Sequence, residues 1–215
     1  MEESVSDEFA QEVAKLGKLL IAFNKVDRSI YVDMEGTKES DTDHSVMLAV
    51  IACAVAESLK LGLDIGKVAQ YALVHDLVEV YAGDVSTLDF RNTDFAAKEA
   101  NEQAALERIK KEFGKTFPWI HQTIEAYESL KDAEARYIKT LDKAMPAITH
   151  LYSDGRAVDE GFDDPDAFAS SVQARNENMR STFAHDQEVV MRLREKLLAP
   201  TISRKYEKHG KRNNV

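Results

Sequence analysis

An all-α, single-domain fold is predicted from three features of the chain. The chain reads as helix after helix, with apolar residues at spacings of three and four in its first segment and on the stripe Ile138, Leu141, Met145 and Ile148. Only four Pro and nine Gly interrupt it, none clustered, so no linker, repeat or low-complexity tract divides it. At 215 residues and 44% hydrophobic, it is long enough to close one sizeable core.

The first helix is read from Phe9, Val13, Leu16, Leu19, Leu20 and Phe23, which fall on one face. From Asn24 to Glu39 the pattern stops; this polar stretch, with Arg28, Tyr31, Glu35 and Gly36, reads as a loop of the length that often carries function. Ser40-Asp-Thr-Asp43 then offers N-cap residues directly before His44. The following run, Val46 to Ala56, is apolar on every side, which predicts a helix in the middle of the fold, with Gly62 as a C-cap.

A third helix, through Val68, Ala72 and Val74, leads into the stretch around which the chain is organised, Ala72-Leu-Val-His75-Asp76-Leu-Val-Glu79-Val-Tyr-Ala-Gly83-Asp84. Helical spacing sets His75, Asp76 and Glu79 around one patch, Gly83 breaks the helix, and Asp84 follows on the turn. After a turn-like segment from Leu88 to Asp94, helices are expected over Phe95 to Phe113 and Ile120 to Leu130. A longer one starts at Asp132, with Ile138, Leu141, Met145 and Ile148 on its stripe and a kink at Pro146. Asp142 lies within that stripe. Ser153 to Asp166 reads as a loop and Phe168 to Leu198 as the last helix. Residues 1–200 are assigned to the domain and 201–215 to a polar, basic tail expected to be disordered.

Composition excludes several classes of function. A net charge of −10 disfavours nucleic acid and anionic membranes, which need a positive field. The longest apolar run has 11 residues where a bilayer span needs about 20. The acidic start, Met1-Glu-Glu-Ser, lacks the layout of a signal peptide, so a cytoplasmic location is expected. Cys53 is the single cysteine and reads as an inert core thiol.

The chemistry-bearing residues are His44 at a helix start, His75-Asp76 in an apolar run and Asp142 on a third helix. Unpaired charges in such surroundings cost several kcal/mol and call for a partner. Two imidazoles with two carboxylates suit Mn2+, Co2+, Fe2+ or Zn2+; Mg2+ fits less well. Glu79 and Asp84 would lie outside the ligand set, where a free carboxylate can take a proton from water. A His-Asp pair alone is weak evidence, since His185-Asp186 is a second one, flanked by charged residues and read as surface. For Asp142 alone, an ion pair with Lys139 or Lys143 is the competing reading. His121, His150 and His209 are given no function.

The spaced set His44, His75-Asp76 and Asp142 resembles the H…HD…D signature of the HD-domain metal-dependent phosphohydrolases. Glu39-Ser-Asp-Thr-Asp-His44, His75-Asp-Leu-Val-Glu79-Val-Tyr-Ala-Gly-Asp84 and Lys139-Thr-Leu-Asp142-Lys143 are similar to the 5'-deoxynucleotidase branch. The resemblance implies a homodimeric all-α enzyme in which His44, His75, Asp76 and Asp142 bind the metal. It further implies that Glu79 positions or deprotonates the attacking water and that Asp84 assists at the sugar or leaving group. Arg28 falls near an Arg-Trp pair of that branch, although Ser29 and Ile30 follow it here, and with Lys143 is the expected phosphate donor. The expected reaction is hydrolysis of nucleoside 5'-monophosphates by attack of metal-bound water on phosphorus. Nucleoside triphosphate or pyrophosphate hydrolysis, or a non-catalytic nucleotide-binding module, are the alternatives. Monophosphates are favoured because Asp41 to Ala97 is acidic, with only Lys60, Lys67 and Arg91 as cations, too few to cradle a triphosphate.

Overall fold

The computed structural model describes residues 5–210. The predicted all-α class holds: the described residues form helices apart from one small hairpin. Five of the described helices begin where a short polar side chain caps them. Ser6 accepts from the Phe9 N–H to start α1 (Asp7–Phe23). Before α2 (Asp41–Ser58), Ser40 and Asp43 form a reciprocal capping box. Asp64, Asp94 and Asp132 do the same singly for α3 (Ile65–Val74), α5 (Phe95–Phe113) and α7 (Ala133–Asp142).

The polar segment read as a loop between α1 and α2 holds instead the antiparallel strands β1 (Asp27–Tyr31) and β2 (Lys38–Ser40). Its turn closes as the Asp33 carboxylate accepts from the Gly36 and Thr37 N–H groups. At the end of α2 the left-handed residue that closes the helix is Lys60, two residues before the expected Gly62, which also has a positive φ of +71°. The Leu61 and Lys60 N–H groups bond back to Ala56 and Glu57. Nor is α2 enclosed on all sides, for Val46 and Val50 are exposed while Leu48, Ala52 and Ala56 are buried.

The organising stretch is not one helix. α3 ends at Val74, and His75 to Val78 passes through tight turns, with Leu77 N–H to Val74 O and Glu79 N–H to Asp76 O, before the short α4 (Glu79–Ala82). The His75 ring takes up the Ala72 carbonyl, an acceptor that a continuing helix would use for a backbone N–H. Gly83, at φ +77°, then turns the chain so that Asp84 faces β1.

The helix expected from Asp132 onward also divides, into α7 and α8 (Met145–Tyr152), because Pro146 suits a first turn and not an interior. Asp142 is thereby the last residue of α7. α6 (Pro118–Glu128) lies between α5 and α7. The segment from Ser153 to Asp166 contains the short α9 (Arg156–Gly161). The predicted last helix is two, α10 (Pro165–Thr182) and α11 (Glu188–Lys208). At the break the Ser181 and Thr182 hydroxyls both donate to the Asn178 carbonyl, and the Phe183 and Ala184 N–H groups both bond to the Met179 carbonyl.

α11 runs past Pro200 into the segment expected to be a disordered tail. That expectation is corrected as far as the described residues reach: Lys205 is buried, Arg204, Lys205 and Lys208 converge on Asp159, and Tyr206 donates to Asp166. The expected tail beyond residue 210, like Met1 to Ser4, lies outside the described residues.

Four apolar clusters hold the described helices together, the smallest formed by Met179, Ala184 and Met191. Leu48, Ala52, Val68, Tyr71, Ile138 and Leu141 join α2, α3 and α7, and the Tyr137 hydroxyl donates to the Ala52 carbonyl at 2.8 Å across that interface. Leu19 and Phe23 pack on Val74, Leu77, Ile109 and Phe113. Ala147, Val158, Phe168 and Leu198 tie α8 to α11. No described helix is long and apolar enough to cross a membrane.

Candidate metal centre

His44, in the first turn of α2, is completely buried, and α7 presents Asp142 to it from the opposite side: Nε2 of His44 lies 3.0 Å from Oδ1 of Asp142. The turn after α3 brings in the other pair. His75 Nε2 lies 3.0 Å from Oδ2 of Asp76 and 3.8 Å from Oδ1 of Asp142, while His44 Nε2 is 4.0 Å from Asp76. Ligand atoms of the four residues lie within 4.8 Å of one another. The chain therefore folds a dispersed set of residues into one point.

The orientation of His75 is fixed from behind. Its Nδ1–H donates to the Ala72 carbonyl at 2.9 Å, which turns Nε2 toward the carboxylates; that nitrogen is buried and has no hydrogen-bond partner. Burial opposes charge on both rings. Asp142 and Glu39 beside His44, and Asp76 and Asp142 beside His75, outweigh it, raising the first and pushing the second up to about 10. Burial likewise opposes ionisation of Asp76 and Asp142, yet His75 and Arg28 hold the first, and Lys143 and the imidazoles the second, well below the usual carboxylate range. Two nitrogens and two oxygens converging in a buried, acid-rich spot fit a divalent transition ion.

A second carboxylate group adjoins the first. Asp41, Asp76 and Glu79 are also close enough to share a cation, and the Arg28 guanidinium sits among them, 3.1 Å from Asp41, 2.7 Å from Asp76 and 3.2 Å from Glu39. Burial would lower the Arg28 pKa, but Asp76, Asp142 and Glu79 more than reverse this. Glu79 is 2% exposed and ion-paired to Lys98 at 3.0 Å; burial first, then Asp76, push it up to about 9 against that lysine. Asp41 rises to about 6, again through burial and Asp76.

The remaining sequence-predicted residues line the same cleft, which opens to solvent. Lys143 is bound to Asp142 at 2.6 Å, so the ion pair set against ligation for Asp142 coexists with its place in the cluster. Asp84 lies at the rim, accepting from the Ser29 N–H at 3.3 Å, and belongs to neither group of converging ligand atoms. His185 and Asp186 are exposed, Asp186 pairing with Arg136. His150, which the sequence leaves without a role, is buried and lines the cleft, as do Arg175 and Arg194, with the half-buried Lys98 beside Glu79. Arg175 and Arg194 are legible in principle, for Arg194 falls three residues after Met191 and four before Leu198 on a buried stripe. Arg175 stands likewise between Phe168 and Met179.

Residues 23–183 match the HD domain family. The 5'-deoxynucleotidase HDDC2 of Xenopus laevis is 31% identical over 136 residues, 62% of this chain and 65% of that protein. Its namesake from Homo sapiens is 30% identical over 106 residues, 49% of this chain and 50% of that protein. The chain thus aligns with less than two thirds of the length of either relative. A solved structure from Magnetospirillum magnetotacticum, described as a predicted metal-dependent phosphohydrolase, superposes with a TM-score of 0.71 at 21% identity, covering 94% of this chain and 98% of that one. A conserved hypothetical protein from Pyrococcus furiosus gives 0.56 at 21% identity, covering 85% and 99%. At these identities the likeness is one of fold.

Proposed function

The chain belongs to the HD-domain family, and on that footing we propose that it is a metal-dependent phosphohydrolase releasing phosphate from (deoxy)nucleoside 5'-monophosphates. The observation that carries this reading is the convergence of His44, His75, Asp76 and Asp142 on one point beside the buried, lysine-paired Glu79, in a cleft open to solvent. The name 5'-deoxynucleotidase borne by the relatives supports the substrate class.

His44, His75, Asp76 and Asp142 would hold the ion, of the Mn2+, Co2+, Fe2+ or Zn2+ type. When bound, such an ion supplies Lewis-acid polarisation of a phosphoryl oxygen and acidifies water. Glu79, in the ionised form that Lys98 favours, takes the proton of the attacking water, and Lys98 keeps its carboxylate oriented toward the cleft. Lys143 spends one donor on Asp142 and offers the others to phosphoryl oxygens, where negative charge builds as the bond to phosphorus forms. Arg28, bonded to the carboxylates around it, offsets their charge so that a phosphate dianion is not repelled. Asp84, at the cleft rim, accepts a sugar hydroxyl.

The experiment is a comparison of kcat/KM for dAMP, dGMP, dCMP and dTMP with the matching triphosphates, with the same ion present. Monophosphates are expected to be the better substrates. A preference for triphosphates with release of tripolyphosphate would replace this reading by triphosphohydrolysis.

A further inference from the structure

The cations of the cleft fall into two kinds. Arg28, Lys98, Lys139 and Lys143 each have a carboxylate within ion-pair distance, respectively Asp76, Glu79, Glu128 and Asp142. Arg175 on α10 and Arg194 on α11 have none among the described residues, although they are only 9% and 6% exposed and near enough to repel one another. Arg194 Nε is buried without any hydrogen-bond partner. An unmatched buried charge is costly to a fold, and two that repel are costlier, so the pair calls for an explanation beyond packing.

Arg175 is also held ready. Its Nη2 donates to the Thr87 carbonyl at 2.6 Å, and its guanidinium lies over the Phe90 ring at 4.7 Å; no other hydrogen bond joins the planar fork to the described residues. The third titratable group on this wall, His150, adds no charge at neutral pH, because burial and the neighbouring Arg194 and Arg204 push its pKa down to about 4. Asp142 is the acid whose field reaches Arg175. The wall of the cleft formed by α8, α10 and α11 is thus cationic and lacks an anion, whereas the metal-centre wall is crowded with carboxylates.

We propose that Arg175 and Arg194 together bind a phosphoryl group of the substrate, through paired N–H donors directed at its oxygens. This rests on the phosphohydrolase reading above and adds two residues to it. The bound group is either the phosphoryl transferred from a monoester or a further phosphate of a longer chain.

The test is calorimetric titration of inorganic phosphate into the full-length, metal-loaded protein and into R175Q, R194Q and, as a surface control, R192Q. At least a tenfold loss of phosphate affinity is expected in R175Q and R194Q and none in R192Q. The melting temperature of R194Q should equal or exceed that of the unaltered protein, because an uncompensated buried charge is removed. If either glutamine variant does not fold, R194K and R175K, which keep charge but lose the fork, should still bind phosphate several-fold more weakly. KM then separates the sources: equal losses for mono- and triphosphates identify the transferred group, and a loss confined to triphosphates identifies a further phosphate. No saturable phosphate binding by the unaltered protein, or equal affinity in all variants, would overturn the proposal. Because binding is read without turnover, a protein that binds phosphate through this pair yet hydrolyses no phosphoester would refute only the catalytic reading.

Discussion

One oxygen of Asp76 meets two partners: Oδ2 accepts from Arg28 Nη1 at 2.7 Å and lies 3.0 Å from His75 Nε2. Arg28, expected from the sequence to be a phosphate donor, is therefore also the counter-ion of the acid cluster formed by Glu39, Asp41, Asp76 and Glu79. Replacing it with Met leaves those buried carboxylates uncompensated, a change that costs about 3–5 kcal/mol. Thermal unfolding of Arg28→Met should show that loss without metal and a larger rise on adding Mn2+ than the unaltered protein shows. Equal stability in the two metal-free proteins would mean that Arg28 carries little of this charge balance.

Glu79 is set apart from the ligand quartet by its pairing with Lys98. Glu79→Gln preserves shape but cannot take a proton, so metal content should stay at the unaltered level while turnover falls by on the order of 10²–10⁴. Loss of the ion along with activity would instead make Glu79 a ligand.

His150 gives the stability a pH dependence. Its folded pKa is pushed down to about 4 from 6.5, by burial first and then by Arg194 and Arg204. Between those values the unfolded chain binds a proton that the folded chain does not, so stability is full above about 6.5 and is lost as pH falls toward 4. Each pH unit of that interval costs about 1.4 kcal/mol, which brings the loss to roughly 3 kcal/mol at its lower end. Urea unfolding at pH 7.5 and pH 5 should show a larger drop for the unaltered protein than for His150→Gln. Parallel drops would assign the acid sensitivity to other groups.

The Ser40 cap, the periodicity of α1, the extent of α5, and the burial of His44 and Asp142 are legible in the sequence because they follow from local composition, spacing and the cost of burying charge. The breaks at His75 to Val78 and after Thr182 are not. Each involves a side chain bonding to a backbone carbonyl, His75 to Ala72 and Ser181 and Thr182 to Asn178, which leaves the apolar pattern running through unchanged. The cationic wall is hidden for a different reason. Charge counted over Asp41 to Ala97 omits Arg175 and Arg194, which reach the cleft from helices far along the chain. Arg28 is legible only in part, since Glu39 and Asp41 read as pieces of a motif and not as its partners.

The most direct test of the metal centre pairs elemental analysis with phosphate release from a nucleoside monophosphate, on chelated protein to which Mn2+, Co2+, Fe2+ or Zn2+ is restored. The unaltered protein should take up about one ion per chain at the quartet and regain phosphate release with it. His75→Ala, Asp76→Ala and Asp142→Ala should lose both together. Full metal occupancy in these variants, or phosphate release that persists in the chelated protein, would contradict the account.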